Sequence, residues 1–179
     1  MPPPASIIVP TRARPAYLEV ALSSVAAQAD RAGAEMIVVD DGALAANAAL
    51  AERFGARYVA LGEPRGLNAA RNAGAAAAAG ELLAFVDDDV EVHDGWLEAL
   101  IAAAAAHPEV GVFTGPIVAR FDGRHRRVCG REGPPITSME LGPTDRDVPR
   151  AWGANLAIRA TTLWAVGPFD VHRRVWSGD

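Results

Sequence analysis

The sequence predicts an α/β fold, a mostly parallel sheet covered by helices on both faces. Three observations carry this. Five-residue apolar runs such as SIIVP, EMIVV and LLAFV recur along the chain, apolar at consecutive positions in the way of strands buried on both faces. Segments with helical spacing separate them, and strands alternating with helices are the pattern of parallel crossover units. Turn signals close the elements at Asp40-Asp41-Gly42, Gly55 and Gly80.

Residues 6–10 form the first strand, ended by a proline. A helix follows over 15–29: Leu18, Ala21, Leu22, Val25 and Ala26 repeat at helical spacing, and Pro15 suits a first turn. The second strand is 35–39, the next helix 43–54 with Gly55 as its stop, and the third strand 57–61. A helix over 66–79 leads to the fourth strand, 82–86, which runs straight into Asp87-Asp88-Asp89. Asp94 is expected to cap a helix reaching 106, stopped by His107-Pro108. Residues 110–118 are strand-like. The pattern breaks near Arg120: 120–150 holds REGPP, LGP and a basic cluster at Arg124, Arg126 and Arg127, expected as a long mobile loop or a substrate-facing insertion. Regular structure returns at 151–158, then as a short helix over 160–166, and the chain ends at Asp179 without a closing element.

Composition narrows the function. The chain is 179 residues long, 50% hydrophobic and 22% charged, a globular composition for one domain. A net charge of −5 leaves no basic footprint for nucleic acid. Every basic residue apart from histidine is arginine, which with the abundance of alanine points to a GC-rich, bacterial coding bias. Cys129 is the single cysteine, so neither a disulfide nor a CxxC metal site forms within the chain. The N-terminus MPPPASIIVPTR has no signal-peptide pattern, and no apolar stretch of about 20 residues exists to span a membrane. A cytoplasmic location is expected, at the inner face of the membrane where a substrate is membrane-borne.

Ligands of open α/β sheets bind at the carboxyl ends of strands. Four polar signals fall there: Pro10-Thr11-Arg12, Asp40-Asp41-Gly42, Arg71-Asn72 and Asp87-Asp88-Asp89. Three adjacent carboxylates repel one another unless a cation or a turn relieves them. Asp87 and Asp89, one residue apart at a strand end, can face one crevice and share Mn²⁺ or Mg²⁺, hard ions that prefer oxygen. A solvated turn is the competing reading. Asp40 and Asp41 either make a plain turn or accept bonds from a base or ribose edge. Arg71 is either a surface charge or a partner for pyrophosphate or a base carbonyl, and Ala69, Ala70 and Ala73 would let its helix sit close to the sheet.

Taken in order, SIIVPTRARPAYLEVALSSVAAQ, EMIVVDDG, GLNAARNAGAAAAAGELLAFVDDDVEV and WGANLAIRATTLWAVGPFD resemble the signatures of family 2 glycosyltransferases with the GT-A fold, the nucleotide-diphospho-sugar transferase fold. The resemblance runs from Ser6 to the end of the chain. It implies a nucleoside-diphosphate sugar donor of UDP type, a divalent metal and inversion at the anomeric carbon. Residues 1–119 would bind the nucleotide sugar, and 120–179 would face the acceptor, a glycan, a lipid-linked or a small molecule. Pro10, Thr11 and Arg12 would border the nucleoside. Asp41, with Asp40 beside it, would meet the base, and Arg71 the base and diphosphate. Asp87 and Asp88 would approach ribose and phosphate, and Asp89 would ligate the metal. The general base belongs to an acidic pair after the GPFD-like segment, where Asp179 stands. In the family the chain continues beyond this point, so a C-terminally truncated chain is expected. Trp152 and Asn155 are expected on the acceptor side.

Two rivals share parts of the pattern. FVDDDV resembles the strand-terminal DxD of haloacid-dehalogenase-like phosphatases, but there the motif lies near the N-terminus and a later lysine or arginine supports the phosphate, whereas here it lies near mid-chain and no lysine exists. A non-catalytic nucleotide-sugar-binding fragment is the other. No GxGxxG follows the first strand, which argues against a dinucleotide oxidoreductase.

Overall fold

The computed structural model describes residues 1–120 and 138–172. In chain order the elements are β1 (Ala5–Thr11), α1 (Pro15–Ala32), β2 (Glu35–Asp40), α2 (Ala45–Arg53), β3 (Arg57–Ala60), α3 (Leu67–Ala77), β4 (Leu82–Phe85), α4 (Trp96–Ala106), β5 (Val112–Thr114), β6 (Leu156–Arg159) and α5 (Ala160–Val166). They build one six-stranded sheet in the order β3-β2-β1-β4-β6-β5. β1 to β4 are parallel, and β6 runs antiparallel between β4 and β5.

Two-residue alternation divides the strands between two cores. Ile7, Val9, Val38, Leu82, Ala84 and Val86 pack under α1, α2 and α4 through Leu18, Leu22, Val25, Ala51 and Leu97. Ile8, Ile37, Val39, Leu83 and Phe85 face the opposite way, onto Ala70 and Ala75 of α3 and Leu163 of α5. Each fully buried aliphatic side chain contributes about 1.5–3 kcal/mol, which is why both faces of these strands are apolar. α3 lies closest to the sheet at Gly74, where a Cβ would overlap Ile8 Cγ2 and stand 3.1 Å from Val39 Cγ2. The close approach thus depends on a glycine, with Ala70 beside it at 1% exposure.

Three expectations change. Asp94 does not cap α4: the N-cap is Gly95, at φ 81°, with no side-chain capping bond. Asp94 instead accepts from Arg31 Nη2 at 2.6 Å, and Arg31 Nε also donates to Glu98 at 3.0 Å, tying α1 to α4. The strand expected over 110–118 shrinks to Val112–Thr114, with a separate bridge between Ile117 and Met139. Gly115 is pressed against Asn155, whose Nδ2 lies 2.6 Å from where a Cβ would stand, and Pro116 has no N–H for a ladder. The regular segment expected over 151–158 becomes strand only at Leu156–Arg159.

Arg159 closes the far side of the sheet, donating to the carbonyls of Ala104, His107 and Val110 at the end of α4. Among the described residues no helix is long and apolar enough to cross a membrane.

Candidate active site

The strand order reverses beside β1, and the sheet opens between the carboxyl ends of β1 and β4, the place where open α/β sheets bind ligands. The last paired residues of these strands are Ile8 and Phe85. Ile8 O still accepts from Val86 N at 3.1 Å, so position 10 also turns its backbone toward β4. Pro10 stands there with no N–H to offer, and the ladder cannot extend. Beyond it Thr11 bonds the other way, its carbonyl accepting from Asp41 N at 2.9 Å.

The acidic run after β4 splits by direction. Asp88 points inward and is 1% exposed; it accepts from Thr11 Oγ1 at 2.7 Å and from Arg14 Nε at 3.2 Å, and it pairs with Arg14 Nη2. Asp87 turns the other way and accepts from Arg71 Nη2 at 2.9 Å. Asp89 is 48% exposed, with Arg14 Nη1 at 3.2 Å from Oδ2. A turn bond from Val90 N to Asp87 O, 3.1 Å, fixes the reversal. Burial pushes the Asp87 carboxyl above the usual carboxylate range, against the pull of Arg71 and with Asp89 adding to the rise. Asp88 is raised for the same first reason, although the Thr11 bond and Arg14 oppose it.

The acidic turn after β2 is wired differently. Asp40 is fully buried and takes Gly42 N at 2.9 Å, Leu44 N at 2.8 Å, Asn47 Nδ2 at 2.9 Å and Tyr58 Oη at 2.8 Å. Burial and this bond push the Tyr58 phenol up to about 12. Asp41 accepts from Arg65 N at 2.6 Å and Gly66 N at 2.9 Å, holding the loop that enters α3. Arg12 is exposed, its Cγ 3.9 Å from where a Gly42 Cβ would stand.

Arg71 joins the carboxyl edge of the sheet to the segments around Gly153 and Phe169. It is 7% exposed, its guanidinium lies 5.9 Å from the Phe169 ring, and Nε is buried without a partner. Gly153 lies against that guanidinium so closely that a Cβ would overlap Nη2 and stand 2.6 Å from Cζ. Asn72, one residue on, clasps the backbone of Phe169: Nδ2 donates to its carbonyl and Oδ1 accepts from its N–H, both at 2.8 Å. Asn68 Nδ2 adds a bond to Asp170 O at 2.8 Å. Phe169 also meets Phe85 edge to face, centroids 5.3 Å apart.

The structure thus brings Pro10, Thr11, Asp41, Arg71 and Asp87 to Asp89 to one crevice. Asp40 lies beneath it, and Arg12 at its rim. Asn155 is a brace: its Oδ1 accepts from Trp96 Nε1 at 3.0 Å, its Nδ2 donates to Pro116 O at 3.2 Å, and its carbonyl accepts from Thr114 Oγ1 at 2.6 Å. Trp152 is 42% exposed and lines an open groove of about 390 Å³ with Met139, Leu141, Val148 and the arginines 146 and 150. Sequence reasoning missed Arg14, Gly153 and Phe169. The only signals for them were RxR after the first strand, the glycine after Trp152, and the aromatic of GPFD. Asp179, Cys129, Arg124, Arg126 and Arg127 lie outside the described residues.

Among the described residues no three His, Cys, Asp or Glu side chains gather around one point. The donor set that does face the crevice, Asp87 and Asp89, is two hard oxygen ligands in mutual electrostatic contact, each now balanced by a guanidinium. That set fits a divalent ion which draws its remaining ligands from phosphate oxygens and water.

A mixed sheet open at a strand-order reversal, with carboxylates and a buried arginine at its edge, is shared with solved glycosyltransferases, and the fold is GT-A. Solved structures agree. The chain superimposes on S. aureus TarS with a TM-score of 0.75 at 20% identity, over 96% of this chain and 51% of that one. TarS in complex with UDP-GlcNAc matches at 25% identity and a TM-score of 0.57, over 67% of this chain and 37% of that one. A mannosyltransferase of Pyrobaculum calidifontis, PcManGT, in complex with GDP-Man and Mn²⁺, gives a TM-score of 0.69 at 20% identity, over 96% and 49%. The profile described as Glycosyl transferase family 2 matches residues 6–167, and the chain belongs to that family. Glycosyltransferase AglE of Haloferax volcanii is 27% identical over 173 residues, 93% of this chain and 56% of its own length. The chain therefore spans about half the length of these relatives. The family match disfavours the phosphatase reading of FVDDDV.

Proposed function

We propose that the chain forms the donor side of an inverting glycosyltransferase, moving a sugar from a nucleoside-diphosphate sugar, UDP-type first, to an acceptor hydroxyl. One observation carries this reading: a nearly buried arginine on α3 is ion-paired with Asp87 at the carboxyl end of β4, next to the half-exposed Asp89. A guanidinium there has the charge and donor geometry to pair with a diphosphate oxygen or a base carbonyl. Pro10, Thr11 and Arg12 border the nucleoside. Asp41 shapes the base side through the Arg65–Gly66 backbone, and Asp40 supports it from below. Asp87 serves ribose and phosphate and shares the metal with Asp89, while Asp88, its oxygens taken by Thr11 and Arg14, sets the turn. A bound Mn²⁺ or Mg²⁺ supplies Lewis-acid stabilisation of the leaving diphosphate.

Arg71 orients the diphosphate, and positioning of this kind lowers the barrier before any proton moves. Asp179 takes the acceptor proton as general base, opposite the leaving group. Trp152 lies on the acceptor side, on the segment that Gly153 presses against Arg71, with Asn155 bracing it. PcManGT, solved with GDP-Man and Mn²⁺, and TarS, solved with UDP-GlcNAc, support the donor class and the metal. The site acts in the cytoplasm, on a glycan, lipid-linked or small-molecule acceptor.

Calorimetry with UDP, GDP and dTDP, each with and without Mn²⁺, tests the reading. UDP binding strengthened by Mn²⁺ is expected. Absence of binding to all three would remove the donor site.

A further inference from the structure

Arg14 enters the scheme above only as a partner of Asp88, yet it also reaches Asp89. It follows Ala13, a non-glycine residue held at φ 53°, and it stands at the N-cap of α1 without making a capping bond. Its guanidinium crosses to the acidic turn, with the Tyr17 ring 5.6 Å from Cζ. There it has two unlike arms. Nε and Nη2 fork onto Asp88, which is almost wholly buried and fixed a second time by Thr11. Nη1 reaches Asp89 at 3.2 Å, where the two side chains are 47% and 48% exposed. The first arm is anchored. The second is open to solvent, and an exposed ion pair of this kind is held weakly enough to exchange.

We propose that Arg14 is a resident cation of the metal site: it occupies Asp89 in the free protein, and a divalent ion must displace Nη1 to bind. The inference rests on the reading of Asp89 as a metal ligand. Nη1 holds Asp89 Oδ2, which leaves an ion at most the other oxygen of that carboxylate while the pair is intact, and a guanidinium within a few ångström repels a divalent ion. The Asp88 fork keeps Arg14 close after displacement, so the penalty on the ion persists until a diphosphate adds negative charge. The free protein accordingly binds the ion weakly, and ion and diphosphate bind together. Arg14 is thus a positioning residue that sets the order of loading.

The test is Mn²⁺ affinity without nucleotide, read from the free-ion electron paramagnetic resonance signal, for three full-length proteins: wild type, Arg14→Gln, and the double variant Arg14→Gln/Asp88→Asn. The double variant removes one positive and one negative charge, so a gain in it reports release of Asp89 rather than net charge. Mn²⁺ is expected to bind roughly tenfold tighter to Arg14→Gln, the scale of removing one nearby charge in a partly solvated site, and to gain less, but measurably, in the double variant. Wild-type affinity in the double variant, with cooperative melting retained, overturns the proposal even if the single variant gains. Should the double variant lose cooperative melting, Arg14→Lys replaces it: one ammonium cannot hold both carboxylates, so a smaller gain is expected and no gain overturns the inference. Mn²⁺ binding by wild type but unchanged in the variants removes only the role of Arg14. No Mn²⁺ binding to any protein, with UDP present or absent, removes both this inference and the metal reading.

Discussion

Two acidic turns leave the same edge of the sheet, one after β2 and one after β4, and their carboxylates have opposite fates. Asp40 and Asp41 are satisfied by backbone N–H groups, an amide and a phenol, with no guanidinium among these partners. Asp87 and Asp89 are balanced by guanidinium groups and stay partly exposed. Donors built into the backbone cannot leave without unfolding the loop, whereas a side-chain cation can be traded for another. The first turn is a structural joint and the second an exchangeable site, although both read as strand-terminal aspartates. Asp88 belongs with the first kind and sits in the second turn: it is buried and held by Thr11 as well as Arg14.

Breaking the joint has the largest expected effect. Asp40→Ala strands four donors in a buried place and should cost about 3–4 kcal/mol in urea denaturation; a loss under 1 kcal/mol would erase the distinction. Next, Gly153→Ala forces a methyl into the Arg71 guanidinium and should cost about 1–3 kcal/mol of stability, with weaker UDP binding by calorimetry. Asp89→Ala should leave stability within about 0.5 kcal/mol yet lower Mn²⁺ affinity in the UDP complex about tenfold. Unchanged affinity would take Asp89 out of the site.

The pH response of the joint follows from Tyr58. Its pKa is raised to about 12 from an ordinary 10, so the neutral phenol favours the folded state. That contribution is complete below pH 10 and is lost as pH rises toward 12. Phenolate absorbance, taken as the difference between wild type and Tyr58→Phe, should titrate near pH 12 and move lower in Asp40→Asn. The smallest effect is expected at Asp94, whose own side chain is 88% exposed: Asp94→Ala should leave the melting temperature unchanged.

Much of the fold was legible because consecutive apolar residues and helical spacing are local signals. The four parallel strands fall within a residue or so of their expected places, and α5 where it was expected. The direction of β6 was not legible, since it depends on the path taken after residue 120 rather than on LAIR itself. Asp94 matched a capping pattern, but Gly95 in the left-handed region starts α4 one residue late for that bond, and Arg31 claims the carboxylate. At the site, residue types at strand ends could be listed, but not which carboxylate faces which way. That choice is made by Thr11, Arg14 and Arg71, and Arg14 and Asp88 lie 74 residues apart in sequence. Gly153 was hidden for the same reason: nothing in WGAN announces the guanidinium it must clear.

The Asn72 clasp has a consequence for how such proteins diversify. Its two bonds engage the backbone N–H and carbonyl of Phe169 and make no demand on the side chains around them. A docking joint that recognises backbone alone works as a socket of fixed shape into which differing inserts can be fitted. Segments from related proteins grafted in place of 138–172 should seat correctly wherever their backbone returns to these two bonds, so this part of the chain can drift in sequence while the parallel strands stay as they are.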